Sequence, residues 1–265
     1  MTQFKFDGRL AVVTGAADGI GAAISKALWE GGASLAAIDI KPVDELKITG
    51  GAVAPGQIFQ NYLCDATSSD EIVSTCRAID ADLGPTGILV NNVGGGGSDQ
   101  LNDIETLTDE EWDFVLSLSL GSTMRFCRAL VGGMRSRSYG RIINISSSLK
   151  EGVFGPVGTV RGRLPYIAAK MGLIGLTKQL SNDLGPSGIS VNAVSPGLTL
   201  PGEDAKITQR FRSLPPEERA RMYSHIPAGR LATGEDIANA VCFLASEASG
   251  YISGETLLVA GGGYR

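Results

Sequence analysis

Leu10-Ala11-Val12-Val13-Thr14-Gly15-Ala16-Ala17-Asp18-Gly19-Ile20-Gly21 is the stretch from which the fold can be read. An apolar run enters a glycine-bearing turn, and the turn opens into Ile20–Trp29, where apolar residues recur at helical spacing. Strand, glycine turn and helix in that order are the setting of a dinucleotide-binding fingerprint. Glycine there takes positive φ and lets the backbone approach a pyrophosphate, which the exposed N–H groups and dipole at the helix start then hold. A glycine-rich βα turn that binds nothing has the same composition, so the rest of the chain must decide.

Beyond that stretch, strand and helix patterns alternate. Strands are expected at Arg9–Thr14, Ser34–Ile40, Gln57–Leu63, Ile88–Asn91, Arg141–Ser146, Ser190–Val194 and Thr256–Val259. Helices are expected at Ile20–Glu30, Ser69–Leu83, Asp109–Arg135, Tyr166–Leu184 and Gly234–Ser246. Nearly all-apolar strands in a βαβ rhythm imply an α/β fold whose parallel sheet is covered on both faces. Two stretches break the rhythm, Leu149–Leu164 and Thr199–Arg230, and both follow C-terminal strand ends, where open α/β sheets bind ligands. No repeat or linker interrupts the chain, so residues 1–265 are expected to form one domain with a substrate lid at about 199–230.

Composition narrows the partners. With 265 residues, 43% hydrophobic and 19% charged, the chain can bury one large core. A net charge of −5 argues against nucleic acid or an anionic membrane as the main partner, since phosphate binding needs a basic surface. Cys64, Cys76, Cys127 and Cys242 are widely spaced without a CxxC pair, which signals neither a metal site nor a disulfide framework. Free thiols in a reducing compartment are expected. Met1–Gly8 has no apolar core of a targeting signal and no apolar run reaches ~18 residues, so a cytoplasmic location is expected.

The second strand bears on the cofactor. Asp39 closes the run Leu35-Ala36-Ala37-Ile38 at the ~20-residue spacing beyond the glycine motif at which an acid reaches the adenosine ribose. A carboxylate there accepts from the 2′-hydroxyl and repels a 2′-phosphate, favouring NAD over NADP. The plainer alternative is a strand-end Asp that starts a turn, and Lys41 is a neighbouring cation that would soften the discrimination.

Five motifs then occur in order: Thr14–Gly21, Asn91-Asn92-Val93-Gly94, Asn144-Ile145-Ser146-Ser147, Tyr166 with Lys170, and Asn192-Ala193-Val194-Ser195-Pro196-Gly197. From about Gly8 to Gly263 the chain resembles the compact, single-domain branch of the short-chain dehydrogenase/reductase family. The resemblance implies a doubly wound, Rossmann-type sheet of seven parallel strands with helices on both faces, usually in a homotetramer. It implies hydride transfer between NAD(P) and a small-molecule alcohol or ketone. Carried over by the same resemblance, Gly15, Asp18, Ile20 and Gly21 hold the pyrophosphate end, and Asp65 with Ala66 faces the adenine. Asn92 and Gly94 line the cofactor, and Pro196, Gly197 and Thr199 flank the nicotinamide. Ser147 matches the family's catalytic serine, with Ser148 as the alternative, and Tyr166 and Lys170 also border the cofactor.

The catalytic pair can be argued from chemistry as well. Tyr166 and Lys170 are one helical turn apart and share a face. A free phenol titrates near 10, and lowering it by about three units requires roughly 4 kcal/mol of extra stabilisation of phenolate. The Lys170 ammonium and an oxidised nicotinamide ring would supply this in a partly dry pocket, so that Tyr166 takes the alcohol proton in oxidation and returns it in reduction. A serine hydroxyl near the same oxygen would position substrate.

Two departures from the family pattern stand out. Leu118-Ser119-Leu120-Gly121 places Ser119 where the family usually has asparagine. If that asparagine acts by bending the helix so that a main-chain carbonyl holds a relay water, serine can keep the relay, because mid-helix serine also perturbs the ladder. The interval from Ser147 to Tyr166 is also longer than the family norm, and its Lys150, Arg161 and Arg163 would wall a substrate pocket.

Substrate identity is thinly encoded. The lid has Lys206, Arg210, Arg212, Arg219, Arg221 and Arg230 set against Glu203, Asp204, Glu217 and Glu218, either to meet an anionic substrate or to form a solvated helical surface. His225, the single histidine, has no ligating neighbours in sequence, so no metal is expected. Phe154, Met222 and Tyr223 offer apolar surface to a substrate or to the core. Three functions are compatible: an NAD-dependent secondary-alcohol dehydrogenase, which is favoured, an NADPH-dependent 3-oxoacyl-thioester reductase, and a non-catalytic subunit of the same fold. Val115, Leu116, Leu118, Leu120, Phe126, Ile174, Leu176 and Leu180 suggest more apolar helix surface than a sheet face covers, consistent with a homotetramer.

Overall fold

A computed structural model describes residues 4–95, 104–152, 163–203 and 205–263, without the side chains of Arg163 and Lys206. The first half comprises β1 (Leu10–Thr14), α1 (Gly19–Glu30), β2 (Ser34–Asp39), α2 (Glu45–Thr49), β3 (Phe59–Leu63) and α3 (Ser69–Leu83). Next come β4 (Ile88–Asn91), α4 (Asp109–Leu116), α5 (Ser122–Ser136), β5 (Gly140–Ile145), α6 (Arg163–Leu184) and β6 (Ile189–Pro196). The chain continues through β7 (Thr199–Leu200), α7 (Lys206–Ser213), α8 (Pro216–Ser224), β8 (Ala232–Thr233), α9 (Gly234–Ala245) and β9 (Thr256–Val259).

Seven strands form one parallel sheet in the order β3-β2-β1-β4-β5-β6-β9, with β7 and β8 paired separately. The period of two along each strand divides the core. Val13, Leu35, Ala37 and Val90 meet Ile24 and Leu28 of α1 and Ile237 and Val241 of α9 on one face. Val12, Ala36, Leu89 and Ile142 meet Ile72 and Ile79 of α3 and Phe126, Leu130 and Met134 of α5 on the other. Strand order reverses between β1 and β4, and this switch point opens the crevice at the carboxyl ends where the motifs gather.

The seven strands and five long helices fall where expected, but several details differ. The helix expected over Asp109–Arg135 is interrupted by a π-helical turn at Ser117–Gly121. Its length and apolar content would suffice to cross a membrane, yet Phe126, Leu130 and Met134 lie in the core against the sheet and Val115 is buried too. Val115 and Phe126, at 0% and 1% exposure, therefore offer no surface to another subunit, contrary to expectation. Trp112, Phe114, Met124, Leu164 and Met171 are the exposed large apolar residues of α4, α5 and α6 among the described residues. The lid region contains α7 and α8 around a small core of its own, Phe211, Ile226 and Leu231, with Leu198, Leu200, Leu214 and Met222 packed against it. The expectations placed on Phe154, Arg161, Asp204 and the side chains of Arg163 and Lys206 lie outside the described residues.

Candidate active site

The glycine turn is built from the strand outward. Gly15 has φ +66°, and a Cβ there would stand 2.9 Å from Asn92 Nδ2. At Gly21 a Cβ would lie 1.9 Å from the Gly15 carbonyl oxygen, so only glycine lets α1 start so close to the turn. Asn92 ties this turn to the end of β4: its Nδ2 donates to Thr14 O and Gly15 O, both at 3.1 Å. Thr14 Oγ1 accepts the N–H groups of Asn92 and Val93 at 3.0 and 3.2 Å. Ile20 lies in the first turn of α1, whose start receives no hydrogen bond from the Asp18 side chain. The start of α1 thus keeps main-chain donors that the Asp18 side chain does not cap, which fits a dinucleotide pyrophosphate.

Asp18 faces elsewhere. Its carboxylate takes Lys41 Nζ at 2.7 Å and Lys47 Nζ at 3.6 Å, and the bond to Lys41 holds it below the usual carboxylate range. Asp39 caps the same corner: Oδ2 accepts Ala17 N–H at 3.0 Å and Oδ1 accepts Lys41 N–H at 3.2 Å. Asp65 Oδ1 closes a local turn by accepting from Thr67 N and Thr67 Oγ1, at 2.8 and 2.7 Å, beside the buried Ala66. Asp39 and Asp65 thus each accept the N–H two residues on, so the strand-end acid at Asp39 also starts a turn.

Ser147, Tyr166 and Lys170 converge at the end of β5. Ser147 Oγ accepts Leu149 N–H at 3.1 Å at the start of a short 3-10 turn, Ser148–Glu151, and hydrogen-bonds Tyr166. Lys170 Nζ lies 5.6 Å from the Tyr166 ring centroid and donates to Ile145 O at 2.7 Å. Ser146 Oγ donates to Lys170 O at 2.8 Å, pinning α6 to β5. Burial raises the Tyr166 phenol, with the Ser147 hydrogen bond opposing it, and pulls the Lys170 ammonium down to about 8. Desolvation of both groups sets these directions in the chain alone, whereas the lowering expected of Tyr166 also calls on an oxidised nicotinamide ring.

Ser119 is fully buried in the π-helical turn. Its Oγ accepts Gly95 N–H at 3.4 Å, and its carbonyl accepts Thr123 Oγ1 at 3.2 Å. A Cβ on Gly94 would lie 3.0 Å from Lys170 Nζ and 3.1 Å from Ser119 Oγ, so Gly94 is the spacer between the loop after β4 and the lysine. Arg125 braces the turn by donating to Ser117 O and Oγ at 3.3 and 3.2 Å. Sequence reasoning missed Arg125, Thr14 Oγ1 and the Ile145 carbonyl. Thr14 adjoins the glycine motif and was open to notice, whereas a carbonyl leaves no side-chain signal.

The far wall comes from β6 and the lid. Gly197 N donates to Val259 O at 2.9 Å, where a Cβ would meet Ala260 Cα at 2.9 Å, so Pro196-Gly197 is drawn against β9. Thr199, buried at the start of β7, donates to Gly197 O at 2.9 Å. Among the lid cations, Arg212 pairs with Glu203 and Arg230 holds Asp236 with two bonds, at 2.6 and 2.7 Å. Lys150 pairs with Glu151 at 2.6 Å. His225 is exposed with Nδ1 at 2.7 Å from Arg221 O, and no metal-ligating cluster exists among the described residues. All four cysteines are buried and free.

Known proteins share this arrangement. Residues 15–264 match a family model described as enoyl-(acyl carrier protein) reductase. The 3-oxoacyl-(acyl-carrier-protein) reductase FabG of Escherichia coli (strain K12) is 37% identical over 260 residues, spanning 98% of this chain and 99% of that protein. A 7α-hydroxysteroid dehydrogenase complexed with NADH and 7-oxo glycochenodeoxycholic acid superimposes with TM-score 0.84 at 29% identity, covering 98% of this chain and 95% of that one. Levodione reductase does so with TM-score 0.83 at 25% identity, covering 97% and 98%. Matching this family model over residues 15–264 and these relatives over nearly its whole length, the chain belongs to the short-chain dehydrogenase/reductase family of nicotinamide-dependent oxidoreductases.

Proposed function

We propose that the protein interconverts a ketone and a secondary alcohol with NADH as the preferred cofactor, and that reduction is the direction its site is poised for. The observation that carries this is the convergence of Ser147, Tyr166 and Lys170 beside a dinucleotide turn. Bound nicotinamide supplies the hydride in reduction and receives it in oxidation. Gly15 and Gly21 let the pyrophosphate approach, Asn92 keeps the turn against β4, and Asp39 accepts from the adenosine ribose. Tyr166, raised by burial, is a phenol at neutral pH and donates its proton to the carbonyl oxygen of the substrate. Ser147 holds that oxygen by a hydrogen bond, and Lys170 steadies the phenolate left behind. Ser119, set by the π-helical turn, keeps the loop after β4 in register with Lys170.

Asp39 supports NADH through its charge, and the tie between Lys41 and Asp18 removes the nearest cation from competition. A 3-oxoacyl thioester is the second reading of the substrate, favoured by the 37% identical relative and its name. Four free, buried thiols support a reducing compartment. The test is a fluorescence titration with NADH and NADPH, followed by turnover on simple ketones, secondary alcohols and a 3-oxoacyl thioester. NADH should bind at least about tenfold more tightly than NADPH, a gap of about 1.4 kcal/mol, and ketone reduction should be seen. Binding of neither nucleotide would contradict the enzymatic reading, and turnover confined to the thioester would select the second substrate.

A further inference from the structure

We infer that Asp18 is a specificity-determining residue for the cofactor: it engages Lys41 and Lys47 as counter-ions, so that neither is free to receive a 2′-phosphate. The inference rests on the NADH preference proposed above and adds a second residue to it. Asp18 was expected to serve the pyrophosphate end, but its side chain makes no bond to the start of α1. Both of its carboxylate oxygens are turned to lysines, Oδ2 to Lys41 at 2.7 Å and Oδ1 to Lys47 at 3.6 Å. Lys41 is also joined to the ribose corner through its main chain, whose N–H is held by Asp39 Oδ1. Asp39 Oδ2 in turn holds the N–H of Ala17, the residue before Asp18.

These contacts set two carboxylates and two ammonium groups in one neutral cluster beside the position an adenosine ribose takes. A hydroxyl arriving there needs only an acceptor, and Asp39 provides it. A phosphate dianion needs cations, yet each lysine at this corner already has Asp18 as a partner. To recruit Lys41, the phosphate would have to break that pair and stand beside two carboxylates. The pairs are solvent-exposed, with side chains at 42% or more of full exposure, so they contribute little to folding. Their effect is on the choice of ligand, because a dianion senses a nearby unit charge more strongly than a hydroxyl does.

The test measures dissociation constants for NADH and NADPH by reduced-nicotinamide fluorescence in the wild type, Asp18→Asn, Asp18→Ser, Lys41→Gln/Lys47→Gln and the triple variant Asp18→Asn/Lys41→Gln/Lys47→Gln. Either substitution at Asp18 should shift the affinity ratio toward NADPH by about tenfold, about 1.4 kcal/mol, and the shift should shrink as salt rises. The triple variant should lose most of that shift relative to Lys41→Gln/Lys47→Gln. A ratio unchanged within about twofold in both folded Asp18 variants, checked by circular dichroism, would overturn the inference. So would a shift that persists in full without the lysines. The wild-type ratio separately tests the NADH reading: a wild type that prefers NADPH contradicts that reading, while the variant series still decides the role of Asp18.

Discussion

Lys170 shows how one residue joins fold to chemistry. Its main-chain carbonyl accepts from Ser146 and its ammonium donates to Ile145 O, so the group proposed to steady Tyr166 also ties α6 to β5. Burial brings its ammonium down to about 8, below the ordinary lysine value of 10.5. The folded chain therefore releases this proton before the unfolded chain does, and between about 8 and 10.5 the unfolded chain binds more protons. Unfolding free energy contributed by this group rises with pH across that window. Activity should move the opposite way: with Tyr166 still a phenol, kcat for ketone reduction should fall as pH passes about 8, where the Lys170 charge is lost. A pH profile at saturating NADH checks this, and a rate still climbing at pH 9 would remove Lys170 from its role. Tyr166 and Lys170 were legible in the sequence by their helical spacing, and Ser147 by its match to the serine of the family the chain resembles. The Ile145 carbonyl that orients Lys170 was not, since every residue has a carbonyl and only the fold aims it.

At the scale of elements, the glycine turn and the π-helical turn are both tied to the segment after β4, through Asn92 and Gly95. Gly21→Ala would place a methyl 1.9 Å from Gly15 O, so NADH binding should fall by at least about a hundredfold, roughly 2.7 kcal/mol, in a titration. Ordinary affinity there would mean that α1 can retreat from the turn without cost. Ser119→Asn should keep turnover within about threefold of wild type, because the π-helical geometry is held by Arg125 on Ser117 and by Thr123 on the Ser119 carbonyl, not by the Ser119 side chain alone. Steady-state kinetics would check it, and a loss of more than about tenfold would show that Ser119 Oγ itself is required. Most strand positions were readable from near-continuous apolar runs, with β3, which holds Gln60 and Asn61 at the sheet edge, the exception. The π-helical turn was not, because Leu118, Ser119, Leu120 and Gly121 fit a regular helical period equally well, and only the side chains one turn later reveal which carbonyls are diverted. Small elements such as α2, β7 and β8 lack the length to produce a period.

Among the described residues of the whole molecule, large apolar side chains are exposed on α4, α5 and α6 and on the edge strand β9, and also around β2 and β3 at Ile40, Leu46, Val53, Ile58 and Leu63. Trp112, Phe114, Met124 and Met171 are exposed on α4, α5 and α6, and Leu257 and Leu258 are exposed on β9, an edge strand, near the fully exposed Tyr251. Two distinct faces of this kind suit a closed assembly with two types of contact. We expect light scattering at micromolar concentration to give a mass near four times 27.6 kDa. A stable, active monomer would contradict the assembly and leave the site untouched. Sequence reasoning located the helices that bear one of these faces but counted the buried Val115 and Phe126 among its eight markers, because a helical period shows that a helix has an apolar side without showing which of its apolar residues are covered within the chain.

Hydride transfer with Tyr166 as the proton carrier is the central claim, and Tyr166→Phe tests it most directly because it removes one hydroxyl and almost no volume. NADH titration of the variant should give a dissociation constant within about threefold of wild type, while ketone turnover at pH 7 falls by at least about a thousandfold, roughly 4 kcal/mol of transition-state stabilisation. Tight NADH binding together with turnover above a tenth of wild type would contradict the account.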